Sequence, residues 1–268
     1  MGWNMNNNKI ALFLDVDGTL YDNQLHGIRP KTIELLNELS NDDNYDLYIA
    51  SGRSMNTIHS IKEHFNKFKG FVLANGQVVI IDNKYIYNNS INFEEVNNFI
   101  DYCNQHNHSV VLVTDDLLYY NFFSDEMYNN FTKYIQTPVY PLDNRRITEN
   151  DIVNEMWIFL SNEELHDLRP LFPNLNIINW GKSGADIIPI GGSKGNGVKK
   201  VIEFMGYDIN NTYCFGDSDN DTVMFKVVGT SICMGNGTEI AKKHADIVCD
   251  TIYNDGLVKA FDKYVRKH

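Results

Sequence analysis

Four short stretches of this chain carry residue types suited to binding a phosphate or a hard cation. The first is Asp15-Val16-Asp17-Gly18-Thr19-Leu20, two carboxylates set two residues apart after the apolar run Ile10 to Leu14. That run is too short for a helix and reads as a buried strand. An extended backbone would put both acids on one face. A turn, which Gly18 permits, aims one at a metal and the other at a leaving group. Asp-Gly alone is a common turn pair; its place after an apolar strand gives it chemical meaning. The second stretch, Ser51-Gly52-Arg53, also follows an apolar strand, Asp46 to Ala50. A hydroxyl and free N–H groups at a helix start suit a phosphate, and the plainer reading makes Ser51 or Ser54 an N-cap. The third is Lys194 in Gly191-Gly192-Ser193-Lys194-Gly195. A lysine held there reaches a phosphoryl group as a point charge, or is simply a solvated cation. The fourth is Gly216-Asp217-Ser218-Asp219-Asn220-Asp221. Its acids suit Mg²⁺, or form an acidic turn at a helix start; a calcium loop would need a longer ligand run ending in Glu.

The elements that must position these residues follow two rhythms. From Ile10 to Ala74 the pattern predicts strand, helix (Pro30 to Leu39), strand, helix (Met55 to Phe65), strand (Phe71 to Ala74), as in parallel β-α-β units. The middle of the chain reads as hairpin-joined strands with interspersed helices. Expected there are strands at Tyr85 to Tyr87, Ser109 to Val113, Leu118 to Phe123, Glu155 to Leu160 and Leu175 to Asn179. Helices are expected at Glu94 to Gln105, Asp125 to Tyr134 and Glu163 to Leu171, with loop around Pro138 and Pro141. From Ala185 the first rhythm returns: a strand to Ile190, a helix from Gly195 stopped by Gly206, and strands at Thr212 to Phe215, Ser231 to Met234 and Asp246 to Cys249. A helix from Leu257 to Arg266 closes the chain. The pattern predicts an α/β fold, a Rossmann-like parallel core of residues 1–81 and 186–268, interrupted by an inserted α+β domain of residues 82–185.

The 268 residues carry a net charge of -12, which argues against electrostatic capture of nucleic acid or an anionic membrane. No apolar run approaches a membrane span, and the Asn-rich N-terminus lacks the charged and apolar regions of a secretory signal. The four cysteines form no C-x-x-C pair. A cytoplasmic location is expected. Gly181-Lys182-Ser183 looks like the end of a P-loop, but Asn176 stands where the required glycine should be and a strand, not a helix, follows. Gly235-Asn236-Gly237 lacks the third glycine of a dinucleotide fingerprint, at Ile240.

Taken together and in order, the four stretches resemble the motifs of the haloacid dehalogenase superfamily. Asp15 to Thr19 looks like its first motif, Ser51 its second, Lys194 its third, and Gly216-Asp217 with Asn220-Asp221 its fourth. The insert resembles the type-2 α/β cap, and Ala74-Asn75-Gly76 and Met234-Gly235-Asn236 are similar to the Cof-like subclass. The resemblance implies a Mg²⁺-dependent phosphatase acting on a small phosphorylated metabolite, a sugar phosphate first, through an aspartyl phosphate. It implies Asp15 as nucleophile and Asp17 as acid and base. Mg²⁺ would lie between the Asp15 carboxylate, the Asp17 backbone carbonyl and the Asp217 carboxylate. Ser51, Lys194 and Asn220 would hold the phosphoryl oxygens, supported by Gly18, Thr19, Gly52, Arg53 and Asp221, with Asp221 orienting Lys194 or the metal shell. A phosphomutase of the phosphomannomutase type shares the core motifs and stays open; a non-catalytic phosphometabolite sensor is the alternative of another class. Arg145, Arg146, Lys182 and Asp186 are candidates for substrate recognition, and a monomer is expected.

Overall fold

The computed structural model describes residues 8–114, 117–125, 127, 138–180 and 184–266. Of the helix expected over Asp125 to Tyr134 only Asp125 and Met127 are among them, and the candidate Lys182 lies outside. The chain forms two compact units, one of Met1–Gly52, His59–Tyr87 and Ser193–His268, the other of Arg53–Ile58 and Asn88–Gly192.

The first unit is built on an eight-stranded sheet. Its order is Ile247–Val248, Thr230–Cys233, Thr212–Gly216, Ile10–Leu14, Tyr45–Ala50, Gly70–Leu73, Val78–Ile81, Lys84–Asn88. The first six strands run parallel, and Val78–Ile81 returns antiparallel to Gly70–Leu73. Ile10–Leu14 sits at the centre and every residue of it is buried, which is why it reads as an unbroken apolar run rather than an alternating one. Phe13, Tyr48, Val72, Val198, Val201, Cys214 and Phe225 share one core cluster. The helix Pro30–Leu39 buries Leu35, Leu36 and Leu39, and Lys194–Met205 buries Val198 and Val201 and ends at Gly206 with φ 69°. The segment after Ser51 departs from expectation: it is a 3-10 helix, His59–Lys67, in place of an α-helix from Met55. Only Ile61 of it is buried, so no continuous apolar face demands the α period. The closing helix is likewise split into Gly256–Ala260 and a π turn, Phe261–Val265.

The second unit has a six-stranded sheet in the order Val139–Pro141, Leu118–Tyr120, Val110–Thr114, Val153–Ile158, Ala185–Pro189, Leu175–Asn179. All its pairs are antiparallel except Val139–Pro141 with Leu118–Tyr120. The former was expected as loop; Pro141 is compatible with a strand there because it lies at the sheet edge. The helix Phe93–Gln105, capped by Asn92 Oδ1 accepting from the N–H groups of Glu94 and Glu95, packs Phe99 and Ile100 onto Leu112, Met156, Ile158 and Ile187. The limits of the units differ from the expected borders by several residues. Lys84–Asn88 extends the large sheet, and Ala185–Pro189 is an inner strand of the small one rather than a strand leading back.

Candidate active site

Parallel pairing sets three strand ends side by side. Leu14 stands in register with Ile49 and with Phe215, so the next residues outward are Asp15, then Ser51 and Asp217 on the neighbours. Asp15 continues the ladder with its N–H to the Phe215 carbonyl, 3.0 Å. Ligands of open α/β sheets bind at this carboxyl end.

After Asp15 the chain turns sharply. The Val16 carbonyl accepts from the N–H groups of Thr19, Leu20 and Tyr21 at 3.3, 3.0 and 2.7 Å. Gly18 has φ 83°, and a Cβ there would lie 2.3 Å from Asp217 Oδ2. Only glycine supplies both the left-handed backbone and the room for that carboxylate. Thr19 Oγ1 faces Asp217 Oδ1 at 3.5 Å. Asp17 is half-buried and forms a bridge with Tyr21.

Lys194 arrives at the first turn of its helix, which Ser193 caps by accepting from the Asn196 N–H. It is 1% exposed, and its Nζ donates to Asp15 Oδ1 at 2.8 Å and to Asp221 Oδ1 at 2.6 Å. It is therefore no solvated surface cation. Asp221, fully buried, spends its other oxygen on the backbone N–H groups of Asp217 and Ser218, each 2.9 Å away. One carboxylate thus fixes both the lysine and the loop bearing Asp217. Burial raises the Asp15 carboxyl well above the usual range, opposed by Lys194 and reinforced by Asp221 and Asp217. Burial, then the Asp221 charge, pushes Asp217 up to about 7. Burial works against the Lys194 ammonium, yet Asp15 and Asp221 together raise its pKa.

Asp15, Asp217 and Asp221 bring carboxylate oxygens within 4.8 Å of one another. Hard oxygen donors so close, two of them with raised pKa, form a site short of positive charge, and the donor set fits Mg²⁺. Asp221 joins this group although the expected metal set was Asp15, Asp17 and Asp217. Ser51 is 2% exposed. Its carbonyl accepts from the Asn75 N–H at 3.2 Å, and Asn75 Oδ1 accepts from Asn220 Nδ2 at 3.2 Å. The loop Ala74-Asn75-Gly76 thereby links two expected phosphate residues. Its three φ angles are 48°, 50° and 87°, two of them strained for residues with a Cβ. Gly76 is compelled to be glycine, since a Cβ would stand 2.1 Å from the Ser193 carbonyl. Asn75 is a residue the sequence marked by subclass pattern alone. Gly52 belongs to the first unit with Ser51, whereas Arg53 falls in the second, its Nη1 donating to the Thr57 carbonyl at 3.0 Å. Of the recognition candidates, Arg145 pairs with Asp151, Arg146 with Asp101 at 2.5 Å, and Asp186 is buried in the small sheet.

The buried aspartate that ends the central strand, the lysine tied to it and the acidic loop beside them supply the groups that hold a phosphoryl group and a hard cation. The chain belongs to the haloacid dehalogenase-like hydrolases, whose family model matches residues 12–261. It is 31% identical over 249 residues to YkrA of Bacillus subtilis, described as a phosphatase, covering 93% of this chain and 95% of that protein. It is 26% identical over 263 residues to YcsE of the same organism, a 5-amino-6-(5-phospho-D-ribitylamino)uracil phosphatase, covering 94% of each. Among solved structures it resembles the subclass IIB sugar phosphatase BT4131, with a TM-score of 0.85 and 27% identity over 96% of this chain and 99% of that one. The protein is a phosphatase, its fold an α/β core with an inserted cap. Among the described residues no helix is long and apolar enough to cross a membrane.

Proposed function

We propose that this phosphatase hydrolyses the monoester of a small phosphorylated metabolite, a sugar phosphate first, in two half-reactions through an aspartyl phosphate on Asp15. The observation that carries the reading is Asp15 itself, a buried carboxylate at the end of the central strand, held at one oxygen by Lys194. A positioned carboxylate splits a hard displacement into two easier ones. In the first, an Asp15 oxygen bonds to phosphorus as the bond to the leaving oxygen breaks, and Asp17 gives that oxygen its proton. In the second, the Asp17 carboxylate takes a proton from water; the water oxygen bonds to phosphorus, and phosphate and the Asp15 carboxylate are released. Ser51, Lys194 and Asn220 hold the non-reacting phosphoryl oxygens. Asp15, Asp217 and the Asp17 carbonyl would hold Mg²⁺, which when bound screens the anionic nucleophile from the anionic phosphate. Similarity to BT4131 supports sugar phosphates as the first class to try. The proposed setting is the cytoplasm and the proposed assembly state a monomer.

The test is phosphate release from a panel of phosphorylated metabolites, with and without Mg²⁺, for wild type and Asp15→Asn. Mg²⁺-dependent release by wild type alone is expected, with Asp15→Asn folded and inert. Turnover by Asp15→Asn at the wild-type rate would overturn the assignment.

A further inference from the structure

Asn236, marked in the sequence only by the subclass pattern, touches the catalytic turn. Its Nδ2 donates to the Gly18 carbonyl at 2.8 Å, and its Oδ1 accepts from the Ile252 N–H at 2.8 Å. The two partners fix the amide's orientation, since a carbonyl only accepts and a backbone N–H only donates. Gly18 follows Asp17 directly, so the next peptide of the turn, Gly18–Thr19, is held by a residue 218 positions away.

Asp17 itself is held by a second path that ends at the same place. Asp17 bridges to Tyr21, the first residue of the two-stranded hairpin of Tyr21–Asp22 and Gly27–Ile28. Asp22, 1% exposed, accepts from the N–H groups of Gln24 and Leu25 at 2.8 and 3.3 Å and from Arg29 Nη1 at 2.7 Å. These bonds hold its carboxyl below the usual range against its burial. Arg29 Nε in turn faces Asp255 Oδ1 at 3.7 Å. Ile252 and Asp255 both belong to one tight loop, in which Asp250 accepts from the Thr251 N–H at 2.8 Å, from Asn254 Nδ2 at 3.1 Å and from Lys259 Nζ at 2.8 Å. The Gly235 N–H donates to the Asp250 carbonyl at 3.1 Å, so the segment carrying Asn236 is pinned to that loop as well.

We propose that the loop of residues 250–255 is a buttress for the proton-transfer residue, and that Asn236 and Arg29 are positioning residues that transmit it to Asp17. The inference rests on the reading of Asp17 as acid and base. Proton transfer needs the donor within hydrogen-bond reach of the leaving oxygen, about 2.6–3.2 Å, so loosening the Asp17 turn costs rate although Asp15, Ser51 and Lys194 keep their places. The cost falls where protonation matters and vanishes where it does not.

The experiment compares kcat/KM at saturating Mg²⁺ along a series of substituted phenyl phosphates, from phenyl phosphate to 2,4-dinitrophenyl phosphate, whose leaving group departs without a proton. General acid–base catalysis contributes about 10²–10⁴-fold. Asp17→Asn should lose on that order for phenyl phosphate and little for the dinitrophenyl ester. Asn236→Ala and Arg29→Met should show the same slope at smaller amplitude, about tenfold, as expected when positioning is impaired and the group remains. Asn236→Asp keeps an acceptor for Ile252 and loses the donor to Gly18; it should follow Asn236→Ala, and it serves if the alanine variant does not fold. A steep response of Asp17→Asn with equal losses across the series for the Asn236 and Arg29 variants, or a lowered Tm with no change of slope, overturns the inference alone. A flat response of Asp17→Asn overturns the reading of Asp17 and the inference with it.

Discussion

Replacing the buried lysine should separate what stabilises the fold from what the reaction needs. Lys194 Nζ lies 2.8 and 2.6 Å from two buried carboxylate oxygens. At an effective dielectric constant near 20, each attraction is about 6 kcal/mol before desolvation is counted. Desolvation of the ions offsets most of this, and breaking a buried pair by removing one partner costs about 3–5 kcal/mol. Lys194→Met should therefore lower Tm by about 5–15 °C at pH 8 in EDTA. Asp15→Asn should behave in the opposite way. It removes a carboxylate whose pKa burial has raised and leaves Lys194 its bond to Asp221, so Tm should hold or rise by a few degrees. The pH dependence follows from the sign of the shifts. Burial makes Asp15 bind its proton more tightly in the folded than in the unfolded state, and the loss of the opposing cation strengthens this. Stability then falls as pH rises above the unfolded value, and the deficit of Lys194→Met should be larger at pH 8 than at pH 5. Thermal unfolding at both pH values, with phosphate release measured in parallel, provides the readings. Equal destabilisation by Asp15→Asn and Lys194→Met, or a deficit that grows at low pH, would refute the view of the lysine as the compensating charge.

Three further outcomes are expected. Gly18→Ala places a Cβ against the Asp217 carboxylate in a backbone conformation hostile to it; a loss of about 1–3 kcal/mol in urea unfolding and a kcat lowered at least tenfold should accompany it. Asp217→Asn should remove a pH-dependent liability of the metal-free protein. With its folded pKa at about 7, above the unfolded carboxylate value, Asp217 makes metal-free stability decline from about pH 4 to 7; the variant should show a flatter Tm profile there and need more Mg²⁺ for half-maximal rate. Tyr207→Phe is the control away from the chemistry. It removes the bond from Tyr207 to Asp46 at 2.5 Å and the partner of the Tyr48 hydroxyl at 2.7 Å, costing about 1–3 kcal/mol in denaturant unfolding with kcat and KM unchanged.

The residues that meet in the site were legible because each stands where an apolar strand ends or a helix begins. Asp15 follows Leu14, Asp217 follows Gly216, and Lys194 opens its helix. Periodicity and turn chemistry record such places locally. What the sequence hides is work done across the chain. Asn75 and Asn236 sit in ordinary-looking Asn-Gly and Gly-Asn turns, and their importance lies in partners 145 and 218 positions away. Only the subclass pattern gave any hint of them. Val78–Ile81 is missed for another reason: it follows a short loop in left-handed backbone that no propensity anticipates at Ala74. Ala185–Pro189 reads the same whether it leads back to one sheet or sits inside another, since both positions bury it.

The central strand of the large sheet has a consequence for how the protein is made. Ile10–Leu14 emerges from the ribosome early, and Tyr45–Ala50 can flank it soon after. Its other neighbour, Thr212–Gly216, lies about 200 residues further on. At synthesis rates of about 5–20 residues per second, that gap is about 10–40 s. Throughout that interval a wholly apolar strand presents an unpaired edge, with Asp15 lacking the ammonium that later compensates it. The second unit, encoded within the gap, has its own sheet and core and can form while the first waits. A holdase shielding the segment up to residue 90, or slower translation before residue 194, should therefore govern the soluble yield more than any change to the catalytic groups.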